Sequence, residues 1–233
     1  RLVVLLCLIS LPGFANDGML ILKHQYKQGL IGKHISYLED KSNSLSFEEV
    51  VKSPSFVQSD RDIVNFNVSP STFWLKLTIK NELQDGENRL EVAQPLLEEI
   101  DLYTPDSNRP GHYSIIKRGQ KYPFDFRGEY RTVNFIYDLD LKPGETKTFY
   151  IKASGYKQIL LPLKVIRNDE IVEGITSRTL WFGIYCGIVS VMVFYNIFIF
   201  FSTREKSYFY YVLHTIFIGL TQISLIGFGY KYL

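Results

Sequence analysis

The residues best suited to binding a ligand lie in one polar stretch, 119–131, with the sequence GQKYPFDFRGEYR. Aromatic side chains alternate there with basic ones. Aromatic rings stack on flat ligand faces and guanidinium groups make paired hydrogen bonds, which suits a sugar or a small anion. The candidate ligand contacts in this stretch are Tyr122, Arg127, Tyr130 and Arg131. The alternative is that the aromatic residues close one end of a domain and the arginines pair with Asp125 or Glu129.

Trp74 is a fifth candidate ligand contact. It belongs to the sequence FWLKLTIKN (73–81), in which every second residue from Phe73 to Ile79 is apolar. This period of two predicts a strand with one buried face, and Trp74 lies on the other face. Two interpretations stay open for it: a core residue beneath a second layer, or a platform on which a ligand stacks.

The sequence gives little support to catalysis or metal binding. Glu98 and Glu99 are adjacent, and neighbouring strand residues point to opposite faces, which does not suit an acid–base pair. The two cysteines, Cys7 and Cys186, lie in apolar segments, and no Cys/His cluster has the spacing of metal ligands. A net charge of +2 gives no case for binding nucleic acid. We expect no catalytic residue, no metal, no cofactor and no nucleic-acid partner.

Short strands are the elements that would position the candidates. Alternating apolar and polar residues recur between about 20 and 167, and turn sequences such as Lys-Pro-Gly at 142–144 separate them. One short helix is predicted over 46–52, because Ser46 and Glu49 have the spacing of a capping box. Strands without crossover helices form antiparallel layers. The predicted fold class is therefore an all-β sandwich of jelly-roll type, followed by transmembrane α-helices.

Both ends of the chain are apolar. Residues 1–15 (RLVVLLCLISLPGFA) have the basic start, apolar run and small-residue ending of a secretory signal peptide. Residues 180–201 are 22 consecutive uncharged residues, long enough as a helix to cross a bilayer at about 33 Å. The predicted segments are a signal peptide (1–15), an extracytoplasmic sandwich (16–168), a linker (169–179), a first membrane helix (180–201), a cytoplasmic loop (202–207), a second membrane helix (208–227) and the start of a larger helical domain (228–233).

Three residues are predicted to pack the membrane helices together. Gly183 and Gly187 form a small-xxx-small pair, which allows close approach of a neighbouring helix. Asn196 places an amide in an apolar run, where it is expected to bond to another helix; the alternative is a role in signal transmission through the bundle. Contacts within a helical bundle and contacts in a homodimer are both open for this stripe.

Several longer stretches resemble one receptor family. They are FWLKLTIKN (73–81), LEVAQPLLEEIDLY (90–103), PFDFR with RTVNFIYDLDLKPGETKTFYIK (123–152), GIYCGI with FYNIFIF (183–200) and SYFYYVLH (207–214). In this order they resemble the bacterial seven-transmembrane receptors with diverse intracellular signalling modules. The resemblance implies a galactose-binding-like jelly roll outside the cell membrane, seven membrane helices, and a cytoplasmic kinase or cyclase module beyond them.

The resulting hypothesis is a sensor in the bacterial inner membrane. Its periplasmic sandwich would bind a small extracytoplasmic ligand, which the resemblance implies is carbohydrate-like, and the helices in the lipid bilayer would relay occupancy. The sequence assigns no enzymatic activity to this part of the receptor. The alternative is a membrane-anchored sandwich that docks a partner protein and binds no small molecule.

Overall fold

The computed structural model describes residues 18–23, 29–84, 87–107 and 109–229. The predicted signal peptide lies outside the described residues. Alternating apolar residues build two sheets that face each other across one core. In the described residues, the larger sheet has the strand order β3-β2-β5-β10-β7-β8. β1 pairs with residues 79–81 of β5, beyond the part of β5 that pairs with β2. Its strands are β1 (Leu20–Leu22), β2 (Ile35–Asp40), β3 (Val57–Gln58), β5 (Thr72–Asn81), β7 (Glu99–Pro105), β8 (Tyr113–Arg118) and β10 (Thr146–Ser154).

The opposite layer consists of two smaller sheets. One has the order β12-β6-β9 and the other pairs β11 with β4. Their strands are β4 (Val64–Val68), β6 (Asn88–Val92), β9 (Phe135–Asp138), β11 (Gln158–Leu161) and β12 (Leu163–Arg167). All described pairings are antiparallel except that of β1 with β5. The predicted sandwich followed by an apolar helix is confirmed.

The core lies between the layers and is filled from both. Leu75, Leu77 and Ile79 of β5 meet Phe135 and Tyr137 of β9, and all are fully or almost fully buried. The predicted period of two in the sequence 73–81 is confirmed, because these residues alternate with side chains on the outer face of the large sheet. The removal of these apolar side chains from water is the main contribution to the stability of the folded sandwich.

A short helix covers part of the outer face of the large sheet. It is α1 (Phe47–Lys52), and Ser46 and Glu49 form the predicted capping box at its start. Phe47 stacks on Tyr103 with ring centroids 4.4 Å apart, and it also contacts Trp74 and Tyr150. Trp74 is 2% exposed in this cluster. Of the two interpretations that the sequence left open, this environment favours a core residue beneath a second layer over a platform for a ligand.

Two helices follow the sandwich, α2 (Asn168–Thr203) and α3 (Lys206–Leu225). The residues of the predicted linker form the first three turns of α2. Those turns fold back over the outer face of β12, β6 and β9, where Ile171 packs on Ile136 and Ile166. Farther along, Arg178 lies 3.9 Å from Glu91.

α2 then continues beyond the sheet as an apolar helix. Of the helices in the described ranges, α2 has the length and hydropathy to cross a membrane. It packs against α3, where Phe200 and Phe209 have ring centroids 5.6 Å apart. The amide of Asn196 donates to the Met192 carbonyl of its own helix at 2.8 Å, and not to another helix as we expected. A methyl group at Gly183 or Gly187 would meet no described atom within 4 Å, so their packing role stays a prediction.

The loop after β2 depends on one buried carboxylate. Asp40 is 3% exposed and accepts hydrogen bonds from the Ser42 amide and hydroxyl and from the Leu45 amide, at 2.6–3.0 Å. Burial alone would raise the pKa of Asp40, but these hydrogen bonds outweigh it and lower the pKa below its usual value. The ionised carboxylate therefore stabilises the turn that leads to α1.

We expect Asp40→Asn to lower the free energy of unfolding at neutral pH by about 2 kcal/mol, because charge-assisted hydrogen bonds are lost. The contribution of Asp40 is fully present above the pKa of the unfolded chain, about 4, and is lost as the pH falls through the lower pKa of the folded state. Thermal unfolding of the full chain in detergent at several pH values checks this, with the 95% exposed Asp60→Asn as control. A wild-type-like melting curve for Asp40→Asn at neutral pH would contradict it.

Candidate functional site

One end of the large sheet carries a polar cleft of about 370 Å³. The register of the sheet explains its position, because Ser154 at the end of β10 lies opposite Glu99 at the start of β7. β5 begins on the other side of β10, and the loops before and after these strands rise around the same point. The cleft is lined by Asn43, Pro70, Thr72, Glu98, Glu99, Lys121, Ser154, Gly155 and Tyr156.

Glu99 is the most densely contacted acid of the cleft. Its carboxylate accepts a hydrogen bond from the Ser154 hydroxyl at 3.0 Å and one from the Tyr122 hydroxyl at 3.4 Å, and Lys121 Nζ lies 3.6 Å away. Partial burial would raise the pKa of Glu99, but the Ser154 hydrogen bond and the charges of Lys121 and Lys152 lower it below its usual value. Glu99 is therefore ionised at neutral pH and held in one position.

Glu98 contributes a second carboxylate to the same cleft. It accepts a hydrogen bond from the Tyr156 amide at 3.0 Å, which fixes the turn after β10 beside it. We expected Glu98 and Glu99 to point to opposite faces of a strand, but β7 begins at Glu99 and Glu98 lies in the preceding loop. Strand alternation therefore does not separate them, and both line the cleft. The expectation of opposite faces was wrong for this reason.

Gly119 brings the loop after β8 to the cleft. Its φ is +143°, and a Cβ there would lie 2.1 Å from the Glu98 carbonyl oxygen, so a side chain would prevent the approach. Close contact lets the Gln120 amide donate to the Leu97 carbonyl at 2.9 Å and the Lys121 amide to the Glu98 carbonyl at 3.1 Å. These bonds place Lys121 next to Glu99.

The structure does not bring the five predicted ligand contacts together. Tyr122 is beside the cleft through its bond to Glu99. Tyr130 is on the far layer, where its hydroxyl donates to Asn168 at 2.9 Å, and Arg131 forms an exposed ion pair with Asp125. Arg131 therefore pairs with Asp125, as in the alternative in which the arginines of this stretch form ion pairs with Asp125 or Glu129.

Trp74 and Arg127 lie in the interior, at 2% and 3% exposure. The guanidinium of Arg127 donates to the backbone carbonyls of Pro95 and Val133 and lies 4.2 Å from the centre of the Phe135 ring. Neither side chain is open to a ligand in this structure, so their surroundings favour packing and positioning roles. Seven residues of the cleft were not among the ligand contacts predicted from the sequence, and no short motif connects them: Asn43, Thr72, Glu98, Glu99, Lys121, Ser154 and Tyr156.

Asp101 is one step farther along the face of β7 that carries Glu99. It is 3% exposed, and its Oδ1 has no hydrogen-bond partner in the described part of the chain. Burial and the nearby charge of Glu99 raise the pKa of Asp101 to about 6. A charge at Asp101 is therefore costly to the folded state at neutral pH.

The folded chain binds a proton at Asp101 more tightly than the unfolded chain, so stability falls as the pH rises from about 4 to about 6 and then levels off. We expect Asp101→Asn to raise the melting temperature at pH 7 and to leave it unchanged below about pH 4. Thermal unfolding of the full chain in detergent, with Asp60→Asn as control, measures this difference. A lower melting temperature for Asp101→Asn at pH 7 would show that the charged form stabilises the fold.

Comparison with protein-family models assigns both parts of the chain. Residues 32–167 match the family described as 7TMR-DISM extracellular 2, and residues 178–233 match the one described as 7TM diverse intracellular signalling. The first match covers the sandwich from β2 to the end of β12, and the second begins in the first turns of α2. The search of curated proteins found no match. The chain belongs to the 7TMR-DISM family, the transmembrane signalling receptors that carry a sensor domain outside the membrane.

Proposed function

We propose that the sandwich is the ligand-binding part of this receptor and that the cleft at Glu98 and Glu99 takes a small, neutral, polyhydroxylated ligand such as a monosaccharide. The observation that carries the proposal is a cleft of about 370 Å³ in which two carboxylates are held in place by neighbouring donors. This volume is within the range of small-molecule sites, about 300–1,000 Å³. The cleft is therefore large enough for one sugar ring.

The polar groups of the cleft match the hydroxyl groups of a sugar. Glu98 and Glu99 accept hydrogen bonds, Lys121 donates, and Asn43 and Ser154 can do both. An ionised carboxylate has about four lone-pair sites, so Glu99 keeps acceptor capacity beyond its bonds to Ser154 and Tyr122. Two carboxylates against one ammonium group disfavour an anionic ligand.

Tyr156 supplies an apolar face at the rim of the cleft. Its side chain is 82% exposed, which is unusual for a large aromatic residue. Its backbone amide is held by the hydrogen bond to Glu98, so the side chain begins next to the polar groups. A sugar presents hydroxyl groups around its edge and C–H groups on its face, and this pairing of carboxylates with an aromatic ring suits both.

We place the sandwich in the periplasm and the helices in the inner membrane of a bacterium, with 1–15 as the export signal. Occupancy of the cleft would bias the arrangement of the membrane helices, and so the activity of a cytoplasmic output module. A ligand shifts such an equilibrium only if it binds one arrangement more tightly than the other. The sandwich contacts α2 at Ile171 and the residues just after α3 at Gly227, which supplies the physical connection that this requires.

The first test of the proposed function measures sugar binding to the full chain in detergent by calorimetry. The probes are D-glucose, D-galactose and maltose, with D-glucuronate as the anionic comparison. We expect at least one neutral sugar to bind, glucuronate to bind more weakly, and Glu99→Gln to reduce affinity by roughly tenfold, because a charged acceptor is lost. Glu48→Gln, an exposed change on α1, is the matched control and should bind like the wild type. Absence of binding by all the neutral sugars would refute the carbohydrate proposal.

A second test concerns the aromatic ring at the rim. We expect Tyr156→Ala to weaken binding of the same sugar by about threefold to tenfold, because stacking is lost, whereas Tyr156→Phe keeps the ring and most of the affinity. The same calorimetric titration measures both variants. Equal affinities for Tyr156→Ala and the wild type would place the ligand away from Tyr156.

A further inference from the structure

The segment 95–98 lies between the cleft and the membrane helices. At one end, Glu98 lines the cleft and receives the Tyr156 amide, and the Glu98 carbonyl receives the Lys121 amide. Leu97 is 3% exposed and anchors the segment in the sandwich core. The cleft and the position of this segment are therefore physically linked.

The other end of the segment contacts the residues that follow α3. Gly227 has a φ of +86°, and a Cβ there would lie 2.8 Å from Pro95 Cβ and 3.6 Å from Val133 Cβ. The next residue, Phe228, is 4% exposed and stacks on Phe182 of α2 with ring centroids 4.0 Å apart. The end of α3 is therefore packed between the sandwich and α2.

Arg127 joins the two surfaces that receive Gly227. Its guanidinium donates to the backbone carbonyls of Pro95 and Val133, which are the same two residues that face Gly227. Desolvating a guanidinium is costly, and these carbonyl bonds offset part of that cost. The buried side chain of Arg127 thus holds Pro95 and Val133 at a fixed distance from each other.

We infer that Arg127 is a positioning residue that couples the cleft to the end of α3 through the segment 95–98. This rests on the proposed function for its biological meaning, because it supposes that the cleft is occupied by a ligand. Displacement of Glu98 would shift Pro95, three residues earlier in the chain, and Pro95 packs directly against Gly227. The Arg127 bonds hold Pro95 and Val133 together, so that both sides of the Gly227 contact would move as one unit. The contact is a second connection to the membrane, in addition to the covalent one through α2.

The first experiment needs no ligand. Hydrogen exchange with mass spectrometry on the full chain in nanodiscs compares the wild type with Arg127→Met and with the exposed control Arg131→Met. We expect Arg127→Met to speed exchange roughly tenfold both at 93–98 and at 225–229, because two charge-assisted bonds are lost. Arg131→Met should leave both segments unchanged. Faster exchange at 93–98 with wild-type exchange at 225–229 would overturn the inference.

The second experiment tests whether a change in the cleft reaches the end of α3. If Arg127 only stabilised the fold, the effect of a cleft variant on exchange at 225–229 would not depend on Arg127. A methyl group at Gly155 would lie 2.9 Å from Glu98 Cβ, so Gly155→Ala displaces Glu98 from within the cleft. We expect it to change exchange at 225–229 by about threefold, and we expect Arg127→Met to abolish that added effect in the double variant. Gly174→Ala is the matched control, because a methyl group there would meet no described atom within 4 Å.

A further variant keeps the test decisive if Arg127→Met fails to fold. Pro95→Ala retains the carbonyl that Arg127 binds and removes the Cγ that lies 3.3 Å from the Cβ position of Gly227. It should speed exchange at 225–229 and reduce the effect of Gly155→Ala. An undiminished effect of Gly155→Ala in either background would overturn the inference. Because no sugar is present, failure of the proposed function and failure of this coupling give separate results.

Discussion

The antiparallel register of β5, β10 and β7 is the constraint on which the rest of this receptor domain depends. It sets Ser154 opposite Glu99 and Ala153 opposite Phe73, so that strand ends from distant parts of the sequence meet at one edge. A shift of one residue would exchange the two faces of each strand and move the core residues into solvent. The buried stripe of β5 therefore fixes the core and the cleft together.

Burial at this edge separates the behaviour of two neighbouring acids. Glu99 has donors on several sides, which hold its pKa below the usual value. Asp101 is more deeply buried, and burial together with the charge of Glu99 raises its pKa. The same face of one strand thus carries an acid that is firmly ionised and one that titrates near pH 6. The difference follows from the deeper burial of Asp101 beside a charged neighbour, and from the hydrogen bonds and lysine charges that Glu99 receives.

The sandwich meets the membrane helices in two different ways. α2 continues directly from β12, and its first turns are fixed to the outer face of the small sheet by Ile171 and by the contact of Arg178 with Glu91. The end of α3 instead returns to the loops that Arg127 holds together. Among the described residues, those that line the cleft include none from α2. The loop at Pro95 lies between the cleft and the second of these contacts, which is why the coupling is assigned there.

The sequence alone determined the features that a few neighbouring residues encode. These are the alternation of β5, the capping box of α1, the apolar length of α2 and the class of sandwich with membrane helices. Only the tertiary structure decided the site, because Asn43, Glu99 and Tyr156 converge through strand pairing and not through any local pattern. Arg127 shows the same limit. Its type suggested a ligand contact, yet the loops that close over it turn its donors towards backbone carbonyls, since a buried guanidinium must bond to whatever acceptors surround it.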